Sequence, residues 1–322
     1  MKEKLKFILK KKPFSPLFFL VRWILVVAPQ KIQTYFHIWK WRERRACFGR
    51  KNPEKIFYVI RWDADVNALM GLMNYVLGKI AYAEKKGWIP VVDFKNGKNY
   101  YFENVNEIGT YNVWECFFMP ITQYTLDEVY QSKNVILGSI SIERGPSKDV
   151  DLFQLENTYS EWKKRVNTYI APSKNVQMRL DQLNKIYGKP TQCIAIKIRG
   201  TDYNPPPKGH FYQPDISLII DAVKELSQKT CCTGAVLSTE DDKLEQQILE
   251  SLKAEITITS ISDNNVYQKI SRIEEGQRYL ADLLYLSQCE YLVGGINGGL
   301  IGIALLADNL REIKTWFLGK AP

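Results

Sequence analysis

An alternating apolar run, C-I-A-I-K-I over residues 193–198, ends abruptly in Arg199, Gly200, Thr201 and Asp202. Such a run reads as a buried strand. Polar residues placed directly after it narrow the architecture, because open α/β sheets bind ligands just beyond the carboxyl ends of their strands. The donor fork of Arg199 suits the oxygens of a phosphate or pyrophosphate, and Gly200 lets the backbone approach whatever is bound. A structural ion pair between Arg199 and Asp202 across a turn is the alternative reading of the same residues.

Two further segments have the same form. After Gly234, A-V-L-S-T-E-D-D reads as a strand over 235–237 that ends at Ser238 and Thr239 and runs into an acidic helix start. Ser238 or Thr239 is expected to cap that helix, with Glu240, Asp241 and Asp242 in its first turn, where carboxylates favour the dipole. Residues 279–307 read as an amphipathic helix to Ser287, a strand over 291–293, a loop Gly294–Gly299 and an apolar, small-residue helix from Leu300. A glycine-rich loop that opens a helix presents backbone N–H groups and partial positive charge, which makes Asn297, Gly298 and Gly299 candidates to hold an anion such as a diphosphate.

Taken in this order, K-I-R-G-T-D, L-S-T-E-D and D-L-L-Y-L-S-Q-C-E-Y-L-V-G resemble three motifs of the fucosyltransferase superfamily. The likeness is to the α-1,6-fucosyltransferase and protein O-fucosyltransferase group, including its short bacterial members, and extends more loosely back to Phe57. The resemblance implies an α/β fold of two Rossmann-like domains facing a cleft, the GT-B arrangement. It also implies inverting, metal-independent transfer of fucose from GDP-fucose to a glycan acceptor in cell-surface polysaccharide biosynthesis. It casts Arg199 as the residue that holds the donor β-phosphate and stabilises charge on the departing nucleotide, with Thr201 and Asp202 in the same motif. Glu240 and Asp241 fall where relatives contact the nucleoside, and Ser238 and Thr239 at the same strand end are candidates for the donor site with them. Asn297, Gly298 and Gly299 fall where relatives set a serine pair against the diphosphate, and Gly71 and Asn74 fall near a helix start on the cleft side of the first domain. The departures are Lys197 for a histidine, Gly200 for a second arginine, N-G-G for the hydroxyl pair, and no acid in N-P-P-P-K-G-H after Asp202. Transfer from GDP-mannose or a UDP-sugar is the near alternative. A non-catalytic nucleotide- or glycan-binding partner of a polysaccharide assembly complex is the reading from another class; the missing acid favours it and Arg199 opposes it.

Transfer from a nucleotide-activated sugar requires that the leaving diphosphate be stabilised and that the acceptor hydroxyl be held in line and deprotonated. An arginine and helix-start N–H groups supply the first by preorganised electrostatics, so no cofactor beyond the donor substrate and no metal is expected. Asp63 and Asp65 in R-W-D-A-D-V-N form the runner-up metal spacing. For the base, His210 is the first candidate, one of two histidines and placed after the proline run near Arg199. Asp202 and Glu115 compete with it. Trp114, beside Glu115, reads either as a platform for a sugar ring or as a buried aromatic in a strand.

At 322 residues the chain has the length of two ordinary domains, expected at 51–170 for the acceptor and 171–322 for the donor, behind a distinct segment 1–50. The hinge is expected at Ala171–Ser173, where a polar helical stretch breaks at Pro172. Residues 56–60, 69–85 and 88–94 read as strand, helix and strand. A helix is expected over Asp215–Gln228, a donor cover over Tyr267–Arg278 and a last strand near Lys314–Leu318. Six cysteines without C-x-x-C spacing read as reduced thiols of a cytoplasmic protein.

The net charge of +9 crowds toward the amino terminus. There, basic clusters flank P-F-S-P-L-F-F-L-V-R-W-I-L-V-V-A-P, an apolar run interrupted by Arg22 and shorter than the roughly 20 residues of a spanning helix. Peripheral attachment to the anionic inner membrane face is expected, which suits a lipid-linked acceptor; packing on the protein body is the alternative. No nucleic-acid-binding motif accompanies the charge, so nucleic acid is not expected as a partner.

Overall fold

The computed structural model of the chain describes residues 30–66, 69–141, 145–146, 156–200, 206, 208–261 and 270–322. They divide into two units, the first drawn from Met1–Asn67, Gly78–Glu115 and Pro120–Glu143 and the second from Ala68–Leu77, Cys116–Met119 and Arg144–Pro322. Helix Glu156–Tyr169 precedes the expected hinge at residue 171 yet clusters with the second unit. Its Tyr159 hydroxyl and Lys163 Nζ donate to the carbonyls of Ala304 and Leu305, at 2.7 and 3.0 Å, late in a helix of that unit.

In the first unit, helix α1 (Gln30–Lys40) leads to β1 (Arg44–Ala46) and β2 (Phe57–Arg61), followed by helix α2 (Leu69–Lys85), whose first half belongs to the second unit. Then come β3 (Ile89–Asp93), α3 (Val113–Phe117), α4 (Leu126–Val129) and β4 (Val135–Leu137). The sheet order is β1-β4-β2-β3, with β2 parallel to both neighbours and β1 antiparallel on the edge. Phe57, Val59, Val91, Val135 and Leu137 form its core with Val129. The strand-end charges are spent on loops. Buried Arg61 donates to the carbonyls of Gly138 at 2.8 Å and Arg42 at 3.1 Å. Buried Asp93 accepts from the Tyr130 hydroxyl at 2.6 Å and from Lys95 and Asn96 N–H groups. Burial and that carboxylate push the Tyr130 hydroxyl far above the usual tyrosine range. The segment around Trp114 is a helix rather than a strand, and Trp114 packs edge-on against Phe94 in the core.

The second unit continues with α5 (Glu156–Tyr169), α6 (Lys174–Tyr187), β5 (Cys193–Lys197), α7 (Ile216–Thr230), β6 (Gly234–Ser238), α8 (Asp242–Leu252) and β7 (Thr257–Ser260), then α9 (Arg272–Leu286), β8 (Tyr291–Gly294), α10 (Gly298–Leu306) and β9 (Glu312–Lys314). Its five strands are all parallel, in the order β7-β6-β5-β8-β9. Counted from β5, this is the 3-2-1-4-5 order of a doubly wound, Rossmann-like sheet. Ile194, Ile196, Leu237 and Val293 meet Ile219, Val223 and Leu226 of α7 and Ile248 of α8 on one face. Ala195, Val236 and Leu292 alternate to the other face and are buried as well, as a sheet covered on both sides requires. Along α10, Gly302 has room for no side chain because Met70, in the first turn of α2, fills the space a Cβ would take.

All six cysteines are free thiols, with Cys232 and Cys289 buried. Among the described residues no helix is long and apolar enough to cross a membrane.

Candidate functional site

Between β5 and β8 the winding of the second sheet reverses, and the crevice outside the carboxyl ends of those strands is where such sheets take ligands. Lys197 to Gly200 leave β5, Thr239 to Asp241 leave β6 and Gly295 to Asn297 leave β8. The parallel register sets Lys197 beside both Ser238 and Gly294, which is what brings the three loops together.

Lys197 is the centre of the cluster. Its side chain is 6% exposed, its Nζ donates to Ser238 Oγ at 3.2 Å, and it lies 3.9 Å from Glu240 Oε2 and 5.8 Å from the Tyr279 ring centroid. Burial pushes its amine below the usual lysine range, with Glu240 and Asp282 pulling it back up and Arg199 adding to the depression. Glu240, at the surface, draws in the other strand end. Its Oε1 accepts from Gly200 N–H at 3.1 Å and sits 3.7 Å from Arg199 Nε. Arg199 thus has an ion pair with Glu240, while Thr201 and Asp202 lie outside the described residues. Gly200 is a glycine because a Cβ there would collide with the Asp241 side chain.

The two helix starts are built differently from expectation at one point. The cap of α8 is Asp241, whose Oδ1 accepts from Lys243 N–H at 3.0 Å and Leu244 N–H at 3.2 Å. Thr239 Oγ1 accepts from Asp241 N–H at 3.2 Å instead, and Ser238 faces Lys197. Carboxylate beats hydroxyl here because its charge meets the helix dipole as well as the orphan donors. Asn297 caps α10, accepting from Leu300 N–H at 3.0 Å while its Nδ2 donates to Gly295 O at 2.9 Å. The N–H groups of Gly298 and Gly299 find no acceptor among the described residues. A Cβ on Gly299 would lie 2.9 Å from the Tyr279 hydroxyl and 3.5 Å from Lys197 Cε, so this helix start adjoins the lysine.

The remaining candidates are more dispersed. His210 is exposed, and its carbonyl accepts from Ala321 N–H at 2.9 Å, which ties its segment to the last residues of the chain. Asn74 is buried rather than an exposed helix residue. Its Nδ2 donates to Met70 O at 2.9 Å, and its Oδ1 has no partner among the described residues. Glu115, in the first unit, accepts from Asn112 Nδ2 at 2.8 Å. Asp63 spends one carboxylate oxygen on His37 Nε2 at 2.9 Å and the other on Lys98 N–H at 2.8 Å, and no group of three or more metal-ligating side chains forms among the described residues. The expected donor cover includes residues 267–269, which lie outside the described residues; the rest of it forms the start of α9. A cavity of about 390 Å³ in the first unit, lined by Arg45, Trp88 and Lys133 among others, sits at the amino ends of β2, β3 and β4, the end opposite the ligand-bearing loops of such sheets.

Three neighbours of the cluster were not singled out from sequence. Tyr279 and Asp282, three residues apart on α9, share the face toward Lys197, a spacing that helical periodicity already carries. Gln213 donates to Ile296 O at 3.3 Å, and its buried Oε1, without a partner among the described residues, fills the space beside Gly295. No sequence signal marked it.

No protein-family model and no curated protein matches the sequence. Solved structures do overlap with it. They include the fucosyltransferase NodZ from Bradyrhizobium, at 14% identity over 79% of this chain and 94% of that one, with a TM-score of 0.46. POFUT1 in complex with GDP overlaps at 11% identity over 81% and 98% of the two chains, TM-score 0.47. An Arabidopsis thaliana FUT1 mutant in complex with GDP does so at 9% over 92% and 76%, TM-score 0.45. At this level of overlap the likeness by itself assigns neither family nor activity to the chain.

Proposed function

We propose that the second unit binds a nucleotide diphosphate sugar at the carboxyl ends of β5, β6 and β8, and that the protein is a glycosyltransferase, with GDP-fucose as the donor. The convergence of Lys197, Arg199, Glu240 and the α10 start at the switch point of a Rossmann-like sheet carries this reading. The guanidinium and the Gly298 and Gly299 N–H groups at the start of α10 are the donors a leaving diphosphate needs, and they would stabilise its charge without a metal. The name of the sugar and the inverting, GT-B character come from the motif resemblance alone. The acceptor in this reading is a glycan of a cell-surface polysaccharide, with His210 and Asp202 the candidates to take the proton of its hydroxyl.

Incubation of the protein with GDP-fucose and a panel of glycan acceptors tests this, read as GDP release. Acceptor-dependent release that Arg199→Ala loses supports fucosyl transfer. Release from GDP-mannose or a UDP-sugar but not GDP-fucose keeps the class and replaces the donor. Binding of nucleotide without release from any donor points to the non-catalytic partner.

Peripheral attachment at an anionic membrane face belongs to the same proposal. The apolar run 13–29 that carries this expectation lies outside the described residues; after it, Tyr35, Ile38 and Trp39 of α1 are exposed and Lys40, Arg42, Arg44 and Arg45 follow them, a pairing of apolar and basic residues that an anionic lipid surface accepts. Co-flotation with vesicles containing an anionic lipid, and none with neutral ones, is the expected result.

A further inference from the structure

We propose that Lys197 is a positioning residue for the nucleotide site, one that holds the Glu240 carboxylate across the ends of β5 and β6 and through it keeps the Arg199–Gly200 turn in place. This inference rests on the nucleotide-site reading above. Glu240 is a long, surface side chain, and left to itself it samples several rotamers. Three groups converge on it: Lys197 Nζ at 3.9 Å, Gly200 N–H at 3.1 Å and Arg199 Nε at 3.7 Å. The Arg199 pair is partly solvated on both sides and contributes little alone. Lys197 differs because its ammonium is almost wholly removed from water, where a charge acts more strongly on its neighbours.

Gly200 brings no side chain, a Cβ there would collide with Asp241, and its N–H donates to the Glu240 carboxylate, which is therefore an anchor of the turn. A carboxylate that swings away releases the Gly200 N–H group and breaks the ion pair with Arg199. Every element around Lys197 contributes to its state. Ser238 and Glu240 face it from the end of β6, Tyr279 and Asp282 from α9, Arg199 from its own strand end, and the Gly299 backbone from α10. The two carboxylates favour the ammonium, while burial and Arg199 oppose it. Loss of the proton removes the buried cation and leaves Glu240 with the partly exposed Arg199 and the Gly200 N–H. A lysine that merely filled space would be replaceable by an aliphatic side chain of equal length with no effect on the ligand.

The test is calorimetric titration of GDP into the full chain at neutral pH for wild type, Lys197→Met, Glu240→Gln and the double variant, with thermal melting to confirm that each is folded. Each single variant is expected to bind about tenfold more weakly, and the double variant no more weakly than the worse single one, because both break one link. Losses that multiply in the double variant, or a Lys197→Met protein that binds as wild type does, overturn the inference and leave the nucleotide site standing. A wild type that binds no nucleotide overturns both. A second arm covers the case in which Lys197→Met fails to fold. Wild-type affinity is expected to fall as pH rises into the alkaline range, and Lys197→Arg, whose charge persists, is expected to lack that part of the fall. Identical profiles for the two proteins overturn the role, since any loss due to the nucleotide's own ionisation is shared by both.

Discussion

Arg199 and Lys197 sit two residues apart, and burial separates their parts. Arg199 is partly exposed, on the side where the proposed diphosphate would arrive, whereas Lys197 is enclosed. Arg199→Ala is expected to weaken nucleotide binding by roughly 1.5–3 kcal/mol, the range of a hydrogen bond to a charged group, with little change in melting temperature. Lys197→Met is expected to do the opposite to stability. Because the folded amine titrates below its unfolded value, the unfolded chain binds more protons between the two, so this lysine weakens the fold at neutral pH and its cost is relieved as pH rises across that window. Replacing it is therefore expected to raise stability at neutral pH, where the buried ammonium opposes folding. Denaturant unfolding at pH 7 and above the ordinary lysine range should show the gain shrinking. The position of Arg199 at a strand end was legible in the sequence. The weight of Lys197 was not, since alternation marks it as one more strand residue and only the parallel register shows which side chains surround it.

Elements carry their own tests. Cys231 closes α7 at φ 57, a left-handed conformation that costs a residue with a Cβ and suits glycine, so Cys231→Gly is expected to raise stability by about 1 kcal/mol in thermal melts. Gly302→Val on α10 is expected to cost roughly 1–3 kcal/mol by overpacking against Met70, and Met70→Ala should recover part of it. The helices 69–85 and 216–230 were legible because their apolar spacing runs long enough to fix the period, 174–187 because it follows the break at Pro172, and the strands 193–197, 234–238 and 291–294 because each apolar run ends in a turn or cap signal. Val113–Phe117 was not: five mostly apolar residues fit a strand or a helix turn equally, and tertiary packing of Trp114 on Phe94 decided it. The short strands Arg44–Ala46 and Val135–Leu137 were missed for the same reason, and their pairing depends on partners about ninety residues away. The helix cap at Asp241 was displaced from Ser238 and Thr239 because the β6 strand runs through Ser238, where its hydroxyl meets Lys197.

Across the whole chain, the two units use their strand ends differently. In the first, Arg61 and Asp93 are buried and bound to loops. In the second, an all-parallel sheet leaves a guanidinium and a helix start at its switch point. That contrast is why the proposed nucleotide site lies in the second unit, and neither strand order nor strand-end burial is readable from one sequence. The most direct measurement is calorimetric titration of the full chain, with EDTA present, against GDP, UDP and CDP, repeated on Arg199→Ala. A metal-independent GDP site at these strand ends is expected to bind GDP in EDTA, to bind it more tightly than the other two nucleotides and to lose or weaken that binding in the variant. Folded wild-type protein that binds none of the three, or an Arg199→Ala protein that binds GDP as wild type does, would contradict it.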